Sequence, residues 1–421
     1  MIDLKFLREH PDIMKKNLEK RNDLQKLAWV DEILEKDAEH RKLLAEAQEL
    51  RSKRNKVSEE INTLRKAGKD AKNVLEEAKR IPEKIKTIEE KVGQLGDGIK
   101  AKLMRLPNFL HESVPVGPDV TGNAVVRMHG EPLRKPGLMP HGEWLEKKGQ
   151  ADFKKAGEVA GAGFYYLKDK IALLDFALQK FALDKLMKKG YTIVEPPFML
   201  RREPYEGVVD LNDFENVMYK VEDSDLYLIA TSEHAIGALH KDEVFEEKDL
   251  PLKYAGVSSC FRKEIGSHGV DTRGIFRVHQ FNKVEMFIFC RPEDSWKLHE
   301  ELLATAEEIF KELGIPYRVV NICTGDIGSI AAKKYDIEAW MPREEEYREV
   351  VSCSNCTAYQ AVRLNIKYQK GKERGWVHTL NSTAIATSRA IRAIIENFQD
   401  EKGMVHIPKA LYPYMNGITK I

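Results

Sequence analysis

The stretch from Phe261 to Glu285, FRKEIGSHGVDTRGIFRVHQFNKVE, gathers charges of both signs around aromatic rings. Its spacing predicts two strands, FRKE and IFRVHQFNKVEMFIF, joined by a glycine-rich loop. Arg262 and Glu264 lie two apart and so leave one face of a strand. Arg277, His279, Phe281, Lys283 and Glu285 share a face of the second strand. Phe276, Val278, Val284, Met286 and Ile288 occupy the other, interrupted by Gln280 and Asn282. One side is core and the other is a charged wall. A solvated antiparallel sheet would carry the same alternation. Phe281 amid the charges, and the apolar FIF beyond, favour a different use. An aromatic platform beside arginine and lysine suits a planar base attached to phosphates, held by stacking and charge-assisted hydrogen bonds. Glu264 and Glu285 can accept from amines. The chemistry is that of a site for a nucleotide and an ammonium-bearing partner.

Such a wall needs a sheet to carry it and a core to fix the sheet. The chain has 421 residues, 42% of them hydrophobic, enough for two domains and a sizeable core. Its 68 Lys and Arg nearly balance 67 Asp and Glu, so binding to a polyanion must come from local patches. Five cysteines, an odd number, fit a reducing compartment better than a disulfide framework. No apolar run has the length of a signal peptide or a membrane span. A cytoplasmic protein is expected.

The first 110 residues are written in a helical period. Leu43, Leu50, Val57 and Leu64 recur every seven, with Ala47 and Ile61 between them. Val74, Ala78, Ile81, Ile85, Ile88, Val92, Leu95 and Ile99 alternate steps of four and three. These are coiled-coil seams. RKAGKDAKN separates them, with Gly68 as the turn residue, which predicts an antiparallel hairpin roughly 40–50 Å long by helical rise. Pro82 is expected to bend the second helix or mark a junction. From Arg41 to Lys72, ten Lys or Arg face five acids, and Arg54 takes a seam position. Solvated coils carry such charge, and so do arms that grip RNA by shape and phosphate.

From about residue 107 to 140, Pro, Gly and short polar stretches read as a linker. We divide the chain into an N-terminal domain over 1–110, a linker over 111–135 and a second domain over 136–421. In that last part apolar helices alternate with strand-like runs such as YTIVEPPFML, LYLIA and YRVVNIC, predicting an α+β domain with a mostly antiparallel sheet. Neither GxxxxGK[ST] nor a strand-GxGxxG-helix is present, so the common nucleotide cradles are excluded.

Three motifs together resemble the class II aminoacyl-tRNA synthetases, and among them the seryl-tRNA synthetase family. GYTIVEPP (190–197) resembles the first motif, a helix-then-strand element that forms the dimer interface in that class. FRKE with RVHQFNKVE resembles the second, and LNSTAIATSRAIRAIIEN (380–397) the third, its NST like archaeal and eukaryotic members. TSEH at 231–234 resembles the TxE motif of the seryl branch, and the N-terminal hairpin is also similar to theirs. The likeness covers essentially the whole chain.

The resemblance implies ATP-dependent activation of L-serine and transfer of the seryl group to the 3′ end of tRNA(Ser), with tRNA(Sec) left open as a second substrate. It implies that Arg262 holds the α-phosphate and helps place the serine carboxylate, and that Glu264 binds the adenine amino group. Phe281 and Arg389 would sandwich adenine, with Arg389 also reaching the γ-phosphate, and Arg277 would take the terminal phosphates of bent ATP. Arg262, Arg277 and Arg389 thus form the implied catalytic set. Val278 and Lys283 complete the implied ATP contacts. Thr231, Glu233, Glu285, Asn381 and Thr383 would receive serine. Glu349 and Ser352 would hold Mg2+. For the hairpin, the family favours tRNA binding through Arg51, Lys53, Arg54, Lys56, Arg65, Lys66, Lys69 and Lys72. A homodimer built on the first motif is implied, with no membrane or DNA partner.

Some residues depart from the pattern or distract from it. QAVR has Val362 where the family has a first arginine, with Arg363 retained, and PHGEW places Gly142 where a bulkier residue is common. Cys353 and Cys356 have CxxC spacing without a partner pair, a weak zinc signal. His279 reads as scaffold, His268 as a mobile loop residue and His234 as a support for the serine loop. An inactive synthetase-like RNA binder would be expected to lose Arg262, Glu264, Arg389 or the hairpin. Synthetases for threonine or proline carry a C-terminal anticodon-binding domain, whereas here little follows the third motif.

Overall fold

The computed structural model describes residues 1–211, 215–264 and 274–421; His268 lies outside them. The chain divides into two compact units, Met1–Pro107 and Asn108–Ile421.

The first unit opens with helices Leu4–Glu9 and Pro11–Lys20, followed by two long ones, Leu27–Lys66 and Lys72–Arg105. Forty residues of helix span about 60 Å, longer than expected because the helix starts well before the seam. Cross-pairs Lys102–Glu32, Arg51–Glu89 and Lys53–Glu77 prove the antiparallel sense: one number rises as its partner's falls. Val57, Ile61, Ile81 and Ile85 form the buried seam, flanked by Leu50, Val74 and Ala78, as the heptads predict. Gly68 takes a left-handed φ of 68° in the turn. Pro82 neither breaks nor ends its helix, which runs through it to Arg105. The packed seam, with Ile81 and Ile85 on either side, outweighs the one backbone bond that proline forfeits.

The second unit is built on an eight-stranded sheet in the order Ala124–His129, Tyr317–Asn321, Lys333–Met341, Glu346–Thr357, His378–Ala386, Gln280–Cys290, Leu252–Phe261, Thr192–Val194. Every neighbouring pair is antiparallel except the last, which is parallel. The α+β expectation holds. The first strand, 124–129, falls inside the stretch read as a linker and forms an exposed edge.

Helices Asp169–Lys188, Ser295–Leu313 and Thr387–Phe398 belong to the main core, into which the 280–290 strand sends Val284, Met286 and Ile288. Its other face begins with Phe281, Lys283 and Glu285 and continues with Phe287 and Phe289, which pack with Tyr205, Val208 and Leu364 in a second cluster. The period-two reading of this strand is therefore right from 280 onward. It fails before that point. Residues 274–279 are not strand, because their hydrogen bonds go elsewhere: Ile275 N–H to His141 Nε2 and His279 N–H to the Gly163 carbonyl. Likewise the 252–261 strand ends at Phe261, so Arg262 and Glu264 follow it; Arg262 N–H still bonds the His279 carbonyl at 2.9 Å.

Candidate active site

A cavity of about 470 Å³ opens on the sheet face that carries Lys283 and Glu285. Its walls bring together Thr231, Glu233, Arg262, Lys283, Glu285, Glu349, Ser352, Asn381 and Thr383, residues spread over 150 positions of sequence. Antiparallel register does much of this. Glu285 stands opposite Thr383 on one neighbouring strand and Gly256 on the other. A Cβ at Gly256 would come within 2.4 Å of Ile236 and 2.7 Å of the Ser232 hydroxyl. Glycine there lets the Ser232–Ala238 helix lie close on the sheet. Thr231 caps that helix by accepting from Glu233 N–H at 3.3 Å, and Asn381 Nδ2 donates to Glu233 Oε1 at 3.0 Å.

The cavity sets two buried carboxylates, Glu233 and Glu285, beside each other. Lys283 Nζ lies 2.6 Å from Glu285 Oε2, both side chains being almost fully buried. Burial pushes the Glu285 carboxyl up, against the pull of Lys283 and Arg262. Glu233 is pushed up to about 7, first by burial and then by the Glu285 charge. Lys283 and Arg262 thus serve two buried carboxylates, and a primary ammonium between them would favour the ionised form of both. His234, which meets the Tyr205 hydroxyl at 2.8 Å, is driven down to about 3 by burial and by Arg262 and Lys283. It is neutral and supports the loop.

Of the three implied catalytic arginines, Arg262 lines the cavity. Arg262 lies over the Phe281 ring at 5.3 Å and donates to the Ala230 carbonyl. Arg277 is exposed and reaches Glu264 at 3.8 Å. Arg389 pairs with the Glu349 carboxylate at 3.2 Å and lies over Phe276 at 5.1 Å. Phe281, Glu264, Arg277 and Arg389 stand outside the cavity lining, and Val278 is buried with its side chain in the interior. Lys283 points to Glu285 rather than outward to the rim.

Glu349 and Ser352 offer one carboxylate and one hydroxyl. Burial would raise the Glu349 carboxyl, but Arg389 and Lys334 outweigh it and hold it low. Two hard oxygens cannot enclose Mg2+, yet they fit an ion that takes its other ligands from phosphate and water. Among the described residues, no group of three or more His, Cys, Asp or Glu side chains could hold a metal. Cys353 and Cys356 are both buried thiols in different company: the first donates to the His299 carbonyl, the second accepts from Asn381 Nδ2.

Lys334 and Asp336 escaped the sequence reading, and Cys356, read there only as part of a weak zinc signal, lines the cavity. Lys334 lines the cavity and pairs with Asp336 at 3.3 Å, whose carboxyl burial raises to about 7. The signal was available, since KKYDIE places Lys334 and Asp336 two apart on one strand face, the rule already applied to Lys283 and Glu285. On the first unit, Arg51, Lys53, Arg54, Lys56, Arg65, Lys66, Lys69 and Lys72 are all exposed. Arg51 and Lys53 are engaged by Glu89 and Glu77.

Known proteins match both units. Residues 1–110 match the family described as the seryl-tRNA synthetase N-terminal domain, and residues 219–398 the tRNA synthetase class II core domain (G, H, P, S and T). A serine--tRNA ligase of Methanocella arvoryzae is 59% identical over 99% of each chain. The crystal structure of seryl-tRNA synthetase from Pyrococcus horikoshii complexed with ATP superposes with a TM-score of 0.94 at 50% identity, covering 100% of this chain and 99% of that one. The cytoplasmic serine-tRNA ligase of Naegleria fowleri in complex with AMP gives 0.88 at 38% identity, covering 100% and 98%. The chain belongs to the seryl-tRNA synthetase family of class II aminoacyl-tRNA synthetases.

Proposed function

We propose that this protein joins L-serine to ATP in the 470 Å³ cavity and passes the seryl group to tRNA(Ser). The observation that carries the reading is the buried Glu233–Glu285 pair beside Lys283, walled by Thr231, Asn381 and Thr383. The serine ammonium favours the ionised form of both carboxylates there, while Asn381 and Thr383 meet its hydroxyl. A hydroxyl-binding group left unpaired by alanine is costly, so alanine is rejected strongly. Threonine is rejected by fit.

The attacking carboxylate is already ionised and needs no base. It needs the phosphate charge neutralised and the α-phosphorus in line. Arg262 takes the α-phosphate and the serine carboxylate. Arg277 and Arg389 take the terminal phosphates, which requires each to leave its present partner, Glu264 or Glu349. Glu264, released, accepts from the adenine amine, and the base stacks on Phe281. Glu349 and Ser352 would hold Mg2+, which supplies further neutralisation of the phosphates. Carboxylate oxygen bonds to phosphorus as pyrophosphate leaves. The terminal ribose hydroxyl of tRNA then attacks the acyl carbon and AMP leaves.

We assign the first unit to the tRNA through its exposed lysines and arginines, and the second to catalysis. The edge strand and helix of the first motif expose Ile193, Phe176 and Met187, which supports a homodimer through that face. The test is magnesium-dependent ATP–pyrophosphate exchange against all twenty amino acids. Serine-only exchange, lost on chelation, is expected. Exchange with a different amino acid would sink the assignment.

A further inference from the structure

PHGEW, the segment whose Gly142 departs from the family pattern, leads into a buried ionic network with no assigned role. His141 is almost wholly inside the protein, as are Arg392 and Glu396 of the third-motif helix. Glu396 Oε1 accepts from Arg392 Nε at 2.9 Å and faces His141 Nδ1 at 3.5 Å. Arg392 also pairs with Glu344 at 2.6 Å. The other His141 nitrogen, Nε2, accepts the Ile275 backbone N–H at 3.2 Å. That bond fixes the tautomer, with the proton on Nδ1 turned to Glu396. On Phe276, the residue after Ile275, the Arg392 guanidinium lies over the ring at 4.6 Å, and Arg389 lies over the same ring at 5.1 Å.

Glu396 therefore holds residues 275 and 276 twice, through the His141 bond to the Ile275 backbone and through Arg392 on the Phe276 ring. Arg277 follows directly in the chain, and Arg389 rests on that ring. Gly274 is part of the fit, because its φ of 142° and the His141 ring 2.0 Å from a would-be Cβ leave no room for a side chain. Charges this deep cost several kcal/mol to desolvate unless fully paired, so a purely structural purpose would be served more cheaply by apolar side chains.

We propose that Glu396, acting through His141 and Arg392, is a positioning residue for ATP: it fixes Phe276 as the shared floor that aims Arg277 and Arg389 at the terminal phosphates. The proposal rests on the reading of the cavity as a serine and ATP site. Neither Glu396 nor Phe276 touches the proposed serine contacts, so the effect must fall on ATP.

The experiment is serine-dependent ATP–pyrophosphate exchange on the full-length protein, with KM for ATP and for serine measured separately. Phe276→Leu, which keeps bulk and removes the ring face, is expected to raise the ATP KM about tenfold, the size of one to two lost cation–π contacts. Its serine KM should move less than twofold, and Phe276→Tyr should restore the ATP KM. Glu396→Gln should reproduce the split. Where Glu396→Gln lowers Tm so far that it is unfolded at the assay temperature, the Leu and Tyr pair decides. An equal rise in both KM values, an unchanged ATP KM, or failure of Tyr to restore it overturns the proposal. No exchange by the unaltered protein would instead overturn the serine and ATP reading beneath it.

Discussion

The two units handle charge in opposite ways. In the helical hairpin every basic residue of the 51–72 stretch is exposed, and the interior is a thin seam of Val57, Ile61, Ile81 and Ile85. In the catalytic unit Lys283, Glu285, Arg392 and Glu396 are buried, each tied to a partner of opposite sign. Exposed charge is screened, adaptable and cumulative, which suits a long polyanion met at many phosphates. Buried charge is costly and fixed in place, which suits a single small molecule whose own charges complete the set. The difference teaches that the same residue types serve shape recognition on one unit and chemical discrimination on the other.

The sharpest way to break this comparison is Arg262→Ala. Removing a group aimed at the reacting phosphate should cut exchange on the order of 1000-fold while leaving tRNA binding to the hairpin intact. Parallel loss of both would mean the units do not divide the work. Core truncation comes next. Ile288→Ala should destabilise the second unit by about 3 kcal/mol, and Ile85→Ala the hairpin by about 2, since a two-helix seam can close around a gap. Denaturant melts followed by separate probes in each unit would read both; equal costs would show that the seam packs as tightly as the sheet.

Neutralising Lys56, Arg65, Lys66 and Lys69 to glutamine should weaken tRNA binding roughly 100-fold at low salt and flatten its salt dependence, with exchange unchanged. A slope of log affinity against log salt that stays the same would remove these residues from the interface. Asn381→Ala should raise the serine KM about tenfold through loss of one buried hydrogen bond, with the ATP KM nearly constant. A rise in the ATP KM alone would move Asn381 out of the serine pocket.

A separate effect concerns pH. Glu233 has its carboxyl raised from 4.5 to about 7, so the folded protein holds that proton more tightly than the unfolded chain. Its contribution is then most favourable below pH 4.5 and is lost as pH rises toward about 7. In ligand-free protein, Glu233→Gln should remove this fall in stability across that window. Serine should offset it by supplying the ammonium. Tm measured from pH 5 to 8 for both proteins checks the sign.

Much of this was legible in the chain. The heptads gave the hairpin because helix faces repeat locally, and period-two alternation placed Lys283 and Glu285 on one face and Val284, Met286 and Ile288 on the other. The motif resemblance named many of the residues that line the cavity, though not Lys334, and it did not give their pairing. Arg277 with Glu264 and Arg389 with Glu349 are neighbours only in the fold. The strand reading of 275–279 failed because His141 and Gly163, over a hundred residues upstream, capture the N–H groups of Ile275 and His279.

What the sequence by itself determined is therefore local: periodicity, turn residues, and which side chains share a face. Backbone geometry repeats over a few residues, so spacing alone fixes these. The tertiary structure decided which faces meet. Antiparallel register set Glu285 against Thr383, and a bare Gly256 admitted the Thr231-capped helix. It also joined His141 to Glu396 across the sequence. Such juxtapositions depend on packing between distant segments, and burial then sets the charge each group can bear.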